Sequence, residues 1–455
     1  MIDKIIFRDK AYQLLLYNDL EKNENIFTTI IGKNGTGKST LLSSIVSELL
    51  NSYNDKFFNE NELGFKFKPH SLLSLDIPPQ SIIAVSSSPF DKFPLTRKLN
   101  DIESYTYLGL RDLSSMNFGL SYMSKIISSL IESIYEKSIH WDNIAEVLNY
   151  LGYKDSIKTR FSANISKSSI EEILYQKGPY YEHLFTKINI KTTNKRFFLN
   201  THGEIDREKY EYFKYLLYKL LHSSFEYRYN KSLNITLNEN QIALESELSL
   251  SLDEIIFLIH SGVFKLRDIG LVKLSRTSTY SIKDSSSGEQ SVILSILGIA
   301  SKITNNSIIC IDEPEVCLHP EWQEKYIQIL TKTFSKFKNC HFIIATHSPQ
   351  IISKLSPKNC FVISMEDASI KNAKEYINNS IDYQLVNVFK SPGYKNEYLS
   401  RLAFTIFSKV SKNKIFDSDD IKNYEILKKS YKSLEDQDPV KELTSVLFEL
   451  YKKYA

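Results

Sequence analysis

Ile26-Phe27-Thr28-Thr29-Ile30-Ile31 is an apolar, β-branched run that breaks at once into Gly32-Lys33-Asn34-Gly35-Thr36-Gly37, after which Lys38-Ser39-Thr40-Leu41-Leu42 opens an amphipathic segment. Strand, glycine turn, helix is the only economical reading of that order. Gly32, Gly37, Lys38 and Ser39 fall at the spacing G-x-x-x-x-G-K-[ST], and the flanking strand and helix are the context that gives the spacing meaning. Glycines in such a turn let backbone N–H groups point inward, and the helix brings the positive end of its dipole to the same place. Gly32, Lys33, Asn34, Gly35, Thr36, Gly37, Lys38, Ser39 and Thr40 are therefore expected to cradle phosphates. Lys38 would reach the β and γ phosphates of a nucleotide, and the Ser39 hydroxyl would take one position on Mg²⁺.

At 455 residues the chain can bury a large core, and length alone suggests two or three domains. With 24% charged and 42% hydrophobic residues it has the composition of an ordinary globular protein. A net charge of +3 is small for this size, which excludes a chain that is basic overall but leaves room for a local basic patch. Cys310, Cys317, Cys340 and Cys360 show no C-x-x-C spacing and read as reduced thiols, three of them in or beside apolar runs. No basic segment followed by an apolar one stands at the start, and no run of 18 or more apolar residues occurs, so a cytoplasmic protein is expected.

Strands are expected at 2–7 and 11–17, then the phosphate loop, a helix from about Ser39 to Leu50, and a compact strand at 81–86 that ends in Ser87-Ser88-Pro89-Phe90-Asp91-Lys92-Phe93-Pro94. From about Arg97 to Tyr280 helical spacing dominates, without a sustained heptad pattern, and a mostly helical insertion is expected. The α/β pattern then returns. Ser285-Ser286-Ser287-Gly288-Glu289-Gln290 precedes an apolar helix, buried strands follow at 307–311 and 341–345, and one more strand near 360–364 leads into polar helices.

Two strand ends carry chemistry. Ser307-Ile308-Ile309-Cys310-Ile311-Asp312-Glu313 closes a buried strand with two carboxylates: Asp312 fits the group that holds Mg²⁺, and Glu313 the group that polarises water against a γ-phosphate. His347, after Ile343-Ile344-Ala345-Thr346, would lie on the same edge and donate a hydrogen bond to a γ-phosphate oxygen.

These four motifs, in this order, resemble the ABC-type ATPases of the SMC, RecF and OLD group. The resemblance implies an α/β ABC-type ATPase head formed by both ends of the chain, residues 1–96 and 281–370, with the insertion at 97–280 between them and a helical extension at 371–455. It also implies two heads sandwiching two ATP molecules, so that Ser287, Gly288 and Glu289 of one copy would face the nucleotide held by the other. Two features depart from the transporter pattern: no glutamine follows the strand at 82–86, and Val316-Cys317-Leu318-His319-Pro320 replaces the usual loop after the acidic pair. His319-Pro320, Glu313-Pro314-Glu315 and the Ser88-Pro89-Phe90-Asp91 loop resemble bacterial antiphage ATPase subunits, the PtuA type of Septu and retron operons and the AriA type of PARIS.

Such subunits act with a separate nuclease of the HNH or Toprim kind, in retron operons beside a reverse transcriptase and its RNA and DNA products. No nuclease is expected in this chain, since Met365-Glu366-Asp367 and Asp417-Ser418-Asp419-Asp420 are the only acidic candidates after His347, and the run from Asp417 has the pattern of a helix cap. Lys191, Lys195 and Arg196 beside Phe197 and Phe198 read as a solvated loop before they read as a nucleic-acid contact. The alternative to a defence switch is a RecF-like repair ATPase that binds DNA itself.

Overall fold

Runs of isoleucine, valine and phenylalanine buried on both faces pair as parallel strands, because only a parallel sheet under helices hides both sides of a strand. Six strands do so here and a seventh, β15, joins antiparallel at one edge, in the order β15-β14-β3-β13-β12-β5-β6. They are Ile370–Asn372 (β15), Cys360–Ser364 (β14), Ile26–Ile31 (β3), His341–Ala345 (β13), Ile308–Asp312 (β12), Ile82–Ser86 (β5) and Tyr105–Leu108 (β6). All neighbours are parallel except the edge pair β14 and β15. The molecule is described from a computed structural model, which covers residues 1–21, 23–53, 73–75, 78–95, 104–111, 118–137, 141–175, 195–200, 204–222, 232–239, 242–245 and 249–454.

Alternation along these strands divides the core in two. Ile30, Ala84, Cys310 and Ile343 point to the helix Lys38–Tyr53 and to a small antiparallel sheet, β2-β1-β4, made of Lys10–Gln13 (β2), Ile2–Phe7 (β1) and Leu73–Leu75 (β4). Phe27, Ile83, Ile311 and Ile344 point the other way, to the helices Ser287–Ala300 and Pro320–Thr333. Among the described residues the second core runs on without a break into the insertion, from Tyr122 and Ile126 to Ile269 and Leu271, so these parts of the insertion are packed onto the head on the face away from the phosphate-loop helix.

Within 97–280 the structure has the expected helices and, beside them, a sheet that was not expected. Helices are present at Phe118–Tyr135, Trp141–Tyr150, Lys167–Tyr175, Arg207–His222 and Leu252–His260, but they enclose one face of a five-stranded antiparallel sheet, β11-β10-β7-β8-β9. Its strands are Thr279–Ser281 (β11), Phe264–Lys273 (β10), Tyr153–Ala163 (β7), Ser232–Leu237 (β8) and Ile242–Glu245 (β9). Helical residues outnumber strand residues among the described residues of the insertion, as expected, and the sheet beside them is not announced by the sequence because strands with one wet face have too few apolar residues to stand out. The boundary at 96 also moves, since β6 belongs to the head sheet.

The extension is helical as expected, with helices at Ile381–Asn387, Glu397–Asn413, Ser418–Ser430 and Pro439–Tyr454 around a separate core that includes Leu399, Ile406 and Leu447. Asp417 caps the third of these by accepting from the Asp419 and Asp420 N–H groups, and Asp420 returns the bond, so the acidic run is a capping box. Phe198 is buried against Phe213, which takes its ring out of play for bases, and the half-buried Phe197 packs edge-on against Phe257; Lys191 lies outside the described residues. Cys310, Cys340 and Cys360 are buried free thiols and Cys317 is exposed. Among the described residues no helix is long and apolar enough to cross a membrane.

Candidate functional site

Because β3, β13, β12 and β5 run parallel, their C-terminal ends meet at one edge of the sheet, and the loops after them carry the motif residues. After β3 the loop turns through Gly35 at φ +80° and Gly37 at φ +100°, backbone values that a side chain would strain. Thr36 closes the turn, its hydroxyl donating to the Lys33 carbonyl at 2.9 Å. Lys38 then begins the helix but folds its side chain back over the loop, donating from Nζ to the Gly32 carbonyl at 3.0 Å.

Three loops converge on that ammonium. The His347 Nε2 lies 2.5 Å from Lys38 Nζ and 3.5 Å from a Glu313 oxygen. Ser39 Oγ donates to Asp312 Oδ1 at 3.0 Å. Burial draws Lys38 below the usual lysine range, against the pull of Glu313, Asp312 and Glu315. Burial and the Lys38 charge push His347 down to about 4, so its ring is neutral at pH 7 and its Nε2 lone pair accepts from the ammonium. Asp312 moves the opposite way, up to about 7, because it is buried and has Glu313, Asp91 and Glu315 nearby, with the Ser39 hydroxyl offsetting them in part.

That clustering is an unmet demand for positive charge. Asp312 and Ser39 offer two hard oxygens 3.0 Å apart, which fits Mg²⁺, an ion that takes one or two protein ligands and completes its shell with water and phosphate. Among the described residues no group of three or more His, Cys, Asp or Glu side chains could hold a metal by itself, so the phosphates would have to share the ion.

Glu313 sits at φ +48°, a left-handed backbone for a residue with a long side chain, and its N–H donates to the Ala345 carbonyl at 2.9 Å, one rung past the end of β12. Two neighbours join the site without belonging to any of the four motifs. Glu315 accepts the His347 N–H through one carboxylate oxygen, and burial raises it above the usual carboxylate range. Its place in Glu313-Pro314-Glu315 is the signal in the sequence that points to it. Arg8, in the turn between β1 and β2, brings its guanidinium against the phosphate loop, where a Cβ on Gly37 would meet it at 3.1 Å. Nothing in the local sequence marks it.

Ser87 and Ser88 stand after β5 where the glutamine is missing, and Ser87 Oγ lies 3.4 Å from Ser291 Oγ. The loop is anchored beyond them. Asp91 is buried and accepts from the Tyr107 hydroxyl at 2.7 Å, Arg111 Nη1 donates to its carbonyl at 2.6 Å, and Ser43 Oγ donates to the Lys92 carbonyl at 2.6 Å.

The serine-rich motif lies elsewhere on the same chain. Ser286 caps the helix Ser287–Ala300 by accepting from the Glu289 N–H, which leaves Ser286 and Ser287 exposed while Gly288 is buried. A Cβ on Gly288 would meet the Cys317 carbonyl at 3.3 Å, so the glycine lets this helix lie close to the loop after Glu315. Glu289 turns inward, accepting from the Tyr153 hydroxyl at 2.5 Å with Lys273 Nζ at 3.9 Å. Thus one chain brings together Gly32 to Thr40, Asp312, Glu313 and His347. It presents Ser287 outward and commits Glu289 to contacts within the insertion.

A phosphate loop, an acidic strand end and a histidine strand end on one parallel sheet, with a separate serine-glycine helix start, define an ABC/SMC-like ATPase head. The chain belongs to the AAA ATPase domain family, which it matches over residues 10–352. It is similar to the retron Vc95 probable ATPase of Vibrio cholerae serotype O1 biovar El Tor, at 25% identity over 421 residues, covering 80% of this chain and 73% of that protein. A shorter stretch of 94 residues is 34% identical to the retron Ec83 probable ATPase of Escherichia coli, covering 18% of this chain and 17% of the other. Among solved structures, an SMC head bound to the C-winged helix domain of ScpA aligns over 81% of this chain and 96% of its own, with 13% identity and a TM-score of 0.28.

Proposed function

We propose that this chain is the ATP-binding and hydrolysing switch subunit of a bacterial antiphage defence complex of the retron kind, dimerising through ATP-sandwiched heads and controlling a separate nuclease. The convergence of Lys38, Asp312, Glu313 and His347 at one sheet edge carries the reading. In it, the loop amides and Lys38 hold the β and γ phosphates, and Ser39 and Asp312 would hold Mg²⁺, which would supply positive charge against that of the phosphates. Glu313 takes a proton from the attacking water, and His347 donates to the γ-phosphate once its contact with Lys38 is exchanged for the nucleotide.

The outward Ser287 and the helix start behind it supply donors to the nucleotide of a second copy, so closure needs two chains and ATP. The retron names of the similar proteins support the defence setting. An ATP switch does work only if its two states differ in affinity for a partner, and the nuclease is that partner.

Glu313→Gln tests the centre of this reading. It should keep ATP binding, slow turnover by about a hundredfold or more, and shift the protein to an ATP-dependent dimer by light scattering. Parental turnover in that variant would remove Glu313 as the base.

A further inference from the structure

Between β12 and the helix Pro320–Thr333 the backbone closes on itself by main-chain bonds. The Val316 N–H donates to the Glu313 carbonyl at 3.2 Å and the Leu318 N–H to the Glu315 carbonyl at 2.9 Å, two overlapping turns that take Cys317 through φ +65°. Gln323, near the start of that helix, pins the far end: its Nε2 donates to the Leu318 carbonyl at 2.9 Å and its Oε1 accepts from the Ser348 hydroxyl at 2.7 Å. The Glu315 side chain therefore leaves from a fixed platform, and these turns close without its carboxylate.

The carboxylate goes to the next strand end instead. Thr346 is tied to the sheet, its N–H donating to the Ile30 carbonyl at 3.1 Å, and Ser348 to the helix Pro349–Ser353, its Oγ accepting from the Ile351 N–H at 3.2 Å. The Ser348 N–H turns back to the Thr346 hydroxyl oxygen at 2.9 Å. Between them, the His347 N–H donates to Oε1 of Glu315. That bond fixes the plane of the Thr346–His347 peptide, and with it the point from which the His347 side chain departs. The ring it carries stands 2.5 Å from Lys38 Nζ and 3.5 Å from a Glu313 oxygen.

We infer that Glu315 is a positioning residue of the nucleotide centre: it holds the His347 peptide so that the imidazole stands between Lys38 and Glu313. Its other oxygen, Oε2, is buried and accepts no hydrogen bond among the described residues. Burial raises the group above the usual carboxylate range, offset in part by the His347 N–H. A buried carboxylate with an unmatched oxygen lowers stability, so its role lies in what it holds, and what it holds is the His347 peptide.

The effect on turnover rests on the ATPase reading; the effect on the ring does not. A group displaced by about 1 Å from its working position can lose about a hundredfold in rate. Nucleotide affinity follows another route, through the phosphate-loop amides and Lys38, and neither is bonded to Glu315. Loss of Glu315 therefore slows the chemical step and spares binding.

Steady-state ATP turnover of the full chain tests this. Glu315→Ala should lower kcat at least about tenfold while KM for ATP stays within about twofold. Glu315→Gln keeps an acceptor oxygen at the same reach and should return kcat to within about threefold of the parent. In a His347→Ala background, Glu315→Ala should cost no more than about twofold further, because the pair acts as one unit. A second readout needs no turnover: the NMR titration of the His347 ring, assigned by its loss in His347→Ala. Removing the Glu315 charge would by itself lower the ring's pKa, whereas release of the peptide takes the ring from Lys38 toward water and raises it from about 4. A rise is expected in Glu315→Ala and none in Glu315→Gln; Glu315→Leu, which keeps the volume, repeats both measurements if the alanine variant unfolds. An equal loss of turnover with and without His347, a glutamine variant as slow as the alanine one, or an unchanged titration in Glu315→Ala would overturn the proposal. A parental chain that turns over no ATP would overturn the ATPase reading instead, and the titration would still decide the role of Glu315.

Discussion

The head sheet and the insertion sheet solve opposite problems with the same backbone. In the head, β3, β12 and β13 are buried on both sides, and their polar chemistry is pushed off the ends into loops. In the insertion, β7 buries alternate residues and spreads its charges along its length. A sheet buried on two faces can hold reactive groups only at its edge, where low dielectric sharpens every charge. A sheet wet on one face offers a broad area of screened charge instead. The first suits chemistry on a small ligand, the second contact with a large one.

The contrast can be broken at its strongest point. On the proposed function, Lys38→Ala at the head's edge should reduce ATP turnover by about a thousandfold, since it would remove the charge that meets the phosphates; phosphate-release assays at saturating ATP would read this. Next in size is the buried centre of the head. Ile343→Ala, at a fully buried position in β13, should cost about 2–5 kcal/mol in urea unfolding because it leaves a cavity beneath the phosphate-loop helix.

Acid should separate the two sheets by a smaller margin. His341 is fully buried at the start of β13; it accepts from the Ile2 N–H at Nδ1, and its Nε2 lies 2.9 Å from Thr28 Oγ1, so burial holds it down to about 3. Its pKa is lowered on folding, so the unfolded chain takes up a proton below about pH 6.5 that the folded chain refuses. Stability is full above that pH and falls as pH drops toward the folded value. Between pH 7 and 5 this site alone should remove about 2 kcal/mol. His341→Gln should lower stability at pH 7 but flatten that slope, measured as urea midpoints at both values. Smallest of all, Asn234→Ala on the displayed face of β8 should change stability by no more than about 0.5 kcal/mol.

The same contrast explains what can be read from residues alone. Ile308-Ile309-Cys310-Ile311-Asp312 announces a buried strand and its acidic end together, and the glycine spacing around Lys38 admits few folds. Those features are local, so the head and most of its site are legible. Tyr153-Lys154-Asp155-Ser156-Ile157-Lys158 alternates weakly, and it forms a strand only because β10 and β8, each more than 60 residues away, pair with it. The contacts of Arg8 with the phosphate loop and of Tyr153 with Glu289 depend on such long-range packing, and no local pattern foretells them.

The left-handed backbone at Glu313 has a consequence for how this protein can change over generations. Glycine would adopt φ +48° freely, whereas a residue with a Cβ resists it by about 1 kcal/mol. Selection for heat resistance alone would therefore favour glycine at this position and erase the carboxylate beside His347. Glu313→Gly should therefore relieve a small backbone cost in the same step that removes the carboxylate beside His347, so a gain in thermal midpoint and a loss at the site would come together.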